Sequence, residues 1–258
     1  MPAHRLIGLQ MDLAWENAAA NHAHATALLE AHSPAAGSLV VLPEMFASGF
    51  SLNPAVAAEP PGGPTERWLA DTARRFQCWL LAGLARRDPS GACGNDALAF
   101  SPAGTLAAVY RKQRPFTPGG EHRHYVAGQA PVVFDWNGVR VAPFICYDLR
   151  FPELFRTAAR RRPELFIVVA SWPDTRIAHW LKLLQARAVE NQAFVLGINR
   201  IGADPTHRYP GRSVLVDPWG EIAADARGIE ATVEADLDLA ALHEYRKKLP
   251  FLDDLEPF

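Results

Sequence analysis

An apolar run that stops on a cysteine constrains this chain more than any other feature. Residues 139–145 read as a buried strand, and Cys146 follows directly. From Phe151 onward, Phe151, Leu154, Phe155, Ala158 and Ala159 recur at steps of three and four, the spacing of a helix. Pro152 suits the first helical turn, where its missing N–H is not needed. The cysteine therefore sits on a strand-to-helix elbow. Such an elbow exposes a side chain at the carboxyl end of a sheet, beside backbone N–H groups that no helical bond uses. A nucleophile needs both: access to substrate, and donors for the oxyanion that its attack creates. Residue type alone argues the other way, since most free cysteines are small hydrophobes filling a core. The decision rests on what else the chain supplies.

With 258 residues, 49% of them hydrophobic, the chain can bury a large core as one large domain or two small ones. Its net charge of −2, without a long basic run, argues against nucleic acid or an anionic membrane as the main partner. The short basic clusters at 160–162 and 246–248 are expected to end helices. Cys78, Cys93 and Cys146 have no CxxC spacing and are too few for a disulfide framework, so a reducing cytosol is the expected compartment. The first residues lack the apolar core of a signal peptide. No apolar run nears the roughly 20 residues that span a bilayer.

In chain order, strands are predicted at 5–13 and 38–42, with a helix over 15–31 between them. Thr65 is expected to cap a helix reaching Phe76, and a buried strand follows over 78–85. Residues 98–100 and 106–111 read as a hairpin. Residues 113–130, rich in His, Gly and Pro, are irregular. Residues 132–136 and 139–145 pair across Asn137-Gly138, a strong hairpin signal. After the elbow come strands at 165–170 and 194–199 around a helix over 175–191, then a polar loop to Gly211. Short strands at 213–217, 221–224 and 232–235 precede a last helix, 239–248, and an acidic, aromatic tail. Strands alternating with helices, plus hairpins, give an α/β architecture with mixed pairing in one domain.

Glu44 stands directly after a buried strand, as Cys146 does. A carboxylate there is partly desolvated, which suits it to general-base work, although position alone favours a helix N-terminal acid or a rim salt bridge. Lys112 ends another strand, and Glu121 lies in the irregular segment, where long loops are often functional. Together these stretches resemble the nitrilase superfamily of carbon–nitrogen hydrolases. The resemblance runs in order through Pro43-Glu44-Met45, Tyr110-Arg111-Lys112, the segment 146–152, Ala170-Ser171-Trp172-Pro173, the segment 185–192 and Asn199-Arg200-Ile201-Gly202. It continues through Gly211-Arg212-Ser213 and Asp217-Pro218-Trp219-Gly220, so it covers nearly the whole chain. Residues 42–50 and 121–128 look most like the omega-amidase branch.

The resemblance implies a four-layer αββα sandwich in a single domain, 1–258, paired with a second copy as a homodimer, with the tail 250–258 at the interface. It implies a Glu44–Lys112–Cys146 triad with Glu121 as a second glutamate, and no metal or organic cofactor. Glu44 would take the thiol proton, and Lys112 with the Tyr147 N–H would hold the oxyanion. Glu121 would position Lys112 or the substrate amide. The implied substrates are small amides, namely monoamides of dicarboxylates such as 2-oxoglutaramate and 2-oxosuccinamate. Arg150 is expected to meet the distal carboxylate, and Phe46, Tyr147 and Trp172 to wall the alkyl chain. Nitrilase and N-carbamoyl amidase chemistry use the same triad and stay open. Rival readings are a cysteine–histidine hydrolase using His122 or His124, a metal site from these histidines and a cysteine, and an inactive binding protein of the same fold.

Overall fold

A computed structural model describes residues 4–255. The first half runs β1 (Arg5–Gln10), α1 (Ala18–His32), β2 (Leu39–Val41), α2 (Pro54–Ala57), α3 (Pro64–Phe76), β3 (Trp79–Arg87), β4 (Cys93–Phe100) and β5 (Leu106–Arg111). The second half begins with β6 (Phe134–Trp136), β7 (Val139–Ile145), α4 (Pro152–Ala159), β8 (Leu165–Ala170), α5 (Ile177–Asn191) and β9 (Phe194–Asn199). It ends with β10 (Ile201–Ala203), β11 (Arg208–Pro210), β12 (Val214–Val216), β13 (Ile222–Asp225), β14 (Ala231–Asp236) and α6 (Leu239–Lys248).

Two six-stranded sheets result, ordered β14-β1-β2-β3-β4-β5 and β13-β12-β9-β8-β7-β6. Each has three parallel strands at its centre and antiparallel strands outside them. Alternation along the strands separates the layers. Leu6, Leu39, Val41 and Leu81 join residues of the second sheet in one core, between the two sheets. Their neighbours Ile7, Val40, Leu42 and Leu80 turn the other way and pack on Leu29 of α1 and Leu69 of α3. Trp180 and Leu184 of α5 cover the far face of the second sheet. The order of layers is helix, sheet, sheet, helix: the expected αββα sandwich. At Gly8 the sheets come so close that a Cβ would lie 2.0 Å from Ile198 Cδ1, so a side chain there would have to displace the end of Ile198.

Several boundaries differ from the sequence expectation. Gly63, not Thr65, caps α3, with Pro64 in its first turn; Thr65 gives its N–H and hydroxyl to Glu59 at 2.7 and 2.6 Å. The first strand stops at Gln10, and the 132–136 strand starts only at Phe134. A 3₁₀ turn over Asp174–Arg176 takes the place of the predicted first turn of α5. The loop expected up to Gly211 contains the small β10–β11 hairpin. The largest difference is β4, which begins five residues earlier than predicted, at Cys93. Its Gly, Asn and Asp residues disguise a strand whose polar side chains are buried. Of the proposed tail, residues 256–258 lie outside the described part; Leu252 is buried and Phe251 is exposed. Among the described residues no helix is long and apolar enough to cross a membrane.

Candidate active site

Parallel strands end together, and these ends build the site. β7 and β8 run side by side, with Ile145 opposite Val169, so Cys146 and Ser171 emerge next to each other. The Cys146 Sγ lies 4.0 Å from the Ser171 carbonyl oxygen. Cys146 has a φ of 45°, a left-handed conformation rare for a side-chain-bearing residue, and opens a 3₁₀ turn over Cys146–Arg150. Asp148 holds that elbow. Its buried carboxyl accepts from its own elbow at Ile145 N, from Arg114 N and from the Tyr110 hydroxyl, at 3.1, 2.8 and 2.7 Å. It thereby ties the elbow to the end of β5.

On the other sheet, Glu44 follows β2 on a turn laid across β3. Gly83 N donates to Pro43 O at 3.1 Å, and Phe46 N to Gly83 O at 3.0 Å. A Cβ on Gly83 would lie 2.6 Å from the Glu44 Cα, so only glycine allows this approach. Met45, at φ 45°, then reverses the chain.

The expected residues meet in a closed ring of hydrogen bonds. Lys112 Nζ donates to Glu44 Oε1 at 2.9 Å and to Glu121 Oε2 at 2.8 Å. Asn95 Nδ2 bridges the same two carboxylates, at 2.8 Å to each. The second oxygen of Glu44 accepts from Ser171 N at 2.8 Å, which joins the two sheets at the thiol. Glu121 also accepts from Phe116 N. All four ring residues are at most 1% exposed. Burial costs charged groups heavily unless they are paired, and here each is.

Above the ring opens a pocket lined by Cys146, Tyr147, Arg150 and Trp172, with Phe50, Phe116, Arg176 and Tyr209 among its walls. Asn199, at the end of β9, fixes Trp172 by accepting from its N–H at 2.7 Å and donating to its carbonyl at 3.0 Å. Phe46 is not in this pocket. Its ring packs beside His22 and Trp68 in the helix-side core, because the reversal at Met45 turns it away. Phe50 takes its place, with Lys112 Nζ 5.3 Å from the ring centroid. His122 and His124 are exposed and do not line the pocket; the histidine that does is His207.

Residues 6–247 match the carbon–nitrogen hydrolase family. The chain belongs to this family. It is 41% identical to the omega-amidase YafV of Yersinia enterocolitica, over 98% of this chain and 97% of that protein. It is 33% identical to the 2-oxoglutaramate amidase of Bacillus subtilis, over 96% and 95%. Among solved structures, the CN-hydrolase superfamily protein XC1258 of Xanthomonas campestris superimposes with a TM-score of 0.93 at 36% identity, covering 100% of this chain and 99% of that one. This carbon–nitrogen hydrolase is thus an amide-cleaving enzyme.

Electrostatics in the carbon–nitrogen hydrolase site follow from its burial. Desolvation pushes the Cys146 thiol well above its ordinary range; Glu44 adds to this and Lys112 opposes it. The resting group is therefore a thiol that needs a base. Burial alone would pull the Lys112 ammonium down, but Glu121 and Glu44 hold it above its usual value, so it stays charged. Desolvation raises the Asp148 carboxyl to about 7, against the opposing pull of Lys112 and the three donors. Sequence reasoning gave no role to Asn95, Phe50 or the Ser171 N–H. No local signal marks Asn95, which stands between Gly94 and Asp96 and is buried by its pairing with two glutamates.

Proposed function

We propose that this enzyme hydrolyses the terminal amide of short dicarboxylate monoamides of the 2-oxoglutaramate and 2-oxosuccinamate type. The observation that carries the reading is a buried Glu44–Lys112–Glu121 cluster against Cys146, under a pocket that presents Arg150 without a carboxylate partner among the described residues. The named activities of the YafV and 2-oxoglutaramate amidase relatives support it.

Glu44 takes the thiol proton as sulfur bonds to the amide carbon. An ammonium has three donors; Lys112 uses two on carboxylates, so one remains for the new oxyanion. The Tyr147 N–H, at the start of the 3₁₀ turn, is the second donor. Collapse of the intermediate breaks the C–N bond, and Glu44 returns its proton to the departing nitrogen, releasing ammonia. Water then gives a proton to Glu44 and attacks the thioester. The acid leaves, and the proton returns to sulfur. Glu121 and Asn95 keep Glu44 and Lys112 aligned throughout. Arg150, its Cζ 4.8 Å above the Trp172 ring, receives the distal carboxylate, a match for its fork geometry.

The test is ammonia release over a panel of anionic and neutral amides and nitriles, with mass spectrometry of Cys146 during turnover. An acyl adduct and a preference for the anionic monoamides are expected; turnover of nitriles in their place would refute the reading. We further propose that the chain, as one domain, pairs into a homodimer in the cytoplasm, the C-terminal tail reaching the interface. Trp219 is 62% exposed and lies against Tyr245, with exposed Val189 beside it at Gly220, an apolar face that a second copy would cover. Light scattering that gave the mass of one chain would end this part of the proposal.

A further inference from the structure

Two guanidinium groups line the pocket, and the scheme above uses one. Arg176 lines the same pocket as Arg150, with its Cζ 5.6 Å from the Phe116 ring centroid. The two are linked through one indole. The face of Trp172 lies under Arg150, and its Nε1 donates to the Arg176 carbonyl at 2.9 Å. Arg150 faces only the His179 Nδ1 as a polar partner, at 3.3 and 3.4 Å, and Arg176 only the Thr175 hydroxyl, at 3.4 Å, among the contacts of the described residues. Neither has a carboxylate within ion-pair distance among those residues, whereas Arg86, Arg111, Arg140 and Arg212 each have one.

The position of Arg176 is also wrong for stability. It is the N-cap residue of α5, makes no side-chain cap bond there, and sets a cation at the positive end of the helix dipole. Serine, aspartate or asparagine would serve the helix better. Stacking on Phe116 keeps the guanidinium within the pocket walls, where an incoming anion would compensate it.

We propose that Arg176 is a second specificity-determining cation, which with Arg150 clamps the substrate carboxylate from two sides. A carboxylate has about four acceptor positions, so one fork leaves room for another. The two arginines sit on different elements, one on the nucleophile's own 3₁₀ turn and the other at the head of α5. Their spacing therefore sets the distance at which a carboxylate can lie from the thiol, and so the length of chain between amide and acid. This inference rests on the substrate reading given above.

The experiment measures kcat and KM for 2-oxoglutaramate and for neutral butyramide, in wild type, Arg150→Met, Arg176→Met, Arg176→Lys and the double Met variant. Arg176→Met should raise KM for the anion by about 10- to 100-fold, the size expected for a charged hydrogen bond. It should lower the anion-to-butyramide ratio of kcat/KM by at least about tenfold, and Arg176→Lys should recover part of it. The double variant should lose less than the product of the single losses, because both groups hold one carboxylate. Equal losses on both amides, or an unchanged KM for the anion, would overturn the role of Arg176. If wild type itself shows no preference for the anion, the substrate reading falls first. If wild type prefers the anion and only Arg150→Met removes that preference, Arg176 alone is refuted.

Discussion

At the scale of single residues, the proposed mechanism separates the nucleophile from the groups that activate it. Cys146 is partly buried and its thiol contributes little packing, so Cys146→Ala should abolish ammonia release with a melting temperature within a few degrees of wild type. Cys146→Ser should be nearly as inactive, because a hydroxyl is far harder to deprotonate; turnover near wild type by either variant would remove Cys146 from the reaction. Glu44→Gln should lower kcat by at least the roughly 10²–10⁴-fold typical of a lost general base. It also breaks a buried ion pair, so the rate must be read on the folded fraction. Asp148 offers a test through pH. Its carboxyl is raised to about 7 in the folded protein, chiefly by burial, from about 3.9 in an unfolded chain. The folded state therefore holds this proton more tightly. The stability it contributes is fully present below about pH 4 and is lost as pH rises through about 7. The stability gap between wild type and Asp148→Asn, from denaturant unfolding, should shrink by up to about 1.4 kcal/mol per pH unit across that window. A gap that widened with pH would mean that the three donors outweigh burial.

Elements position these groups through close backbone contact, and this is where sequence reading succeeded and failed. The β7–elbow–α4 unit was legible because an apolar run, a cysteine and a proline-started helix follow one another without ambiguity. β4 was legible only in its apolar end. Its first half is buried by polar pairing: Asp96 lies under Arg111 at 2.7 Å, and Asn95 under the two glutamates. Hydrophobic periodicity cannot report burial of that kind. Phe46 was misassigned for a related reason. The direction of a side chain on a turn is set by backbone angles, here the φ of 45° at Met45, and these are not written in the local pattern. The Glu44 turn depends in addition on Gly83. Gly83→Ala would force the turn off β3, since the new carbon meets backbone atoms that cannot swing aside. We expect a loss of about 1–3 kcal/mol in stability, the usual cost of overpacking, and a fall in kcat larger than that seen for an alanine placed elsewhere in β3. Wild-type kcat in Gly83→Ala would show that the approach is not needed.

Across the whole molecule, the site residues divide between the two halves of the chain. Glu44, Asn95, Lys112 and Glu121 belong to the first half of the chain, and Cys146, Asp148, Ser171 and Trp172 to the second. The carboxylate–amide contact that joins them, Glu44 to Ser171 N, spans 127 positions of sequence. The first sheet is itself incomplete until β14, near the far end of the chain, lies down along β1 with Arg5 opposite Asp236. Time therefore enters the account. A chain leaving the ribosome holds Glu44 and Lys112 before Cys146, and gains its sheet edge later still. Closing loops of this length is slow, and contacts between distant segments form late. On refolding from denaturant, ammonia release should return with the slowest phase, well after the helical signal in far-ultraviolet circular dichroism has recovered. An enzyme assembled in this order has no complete site until its two halves have docked, so a half-folded chain holds Cys146 without Glu44 and Lys112 set around it.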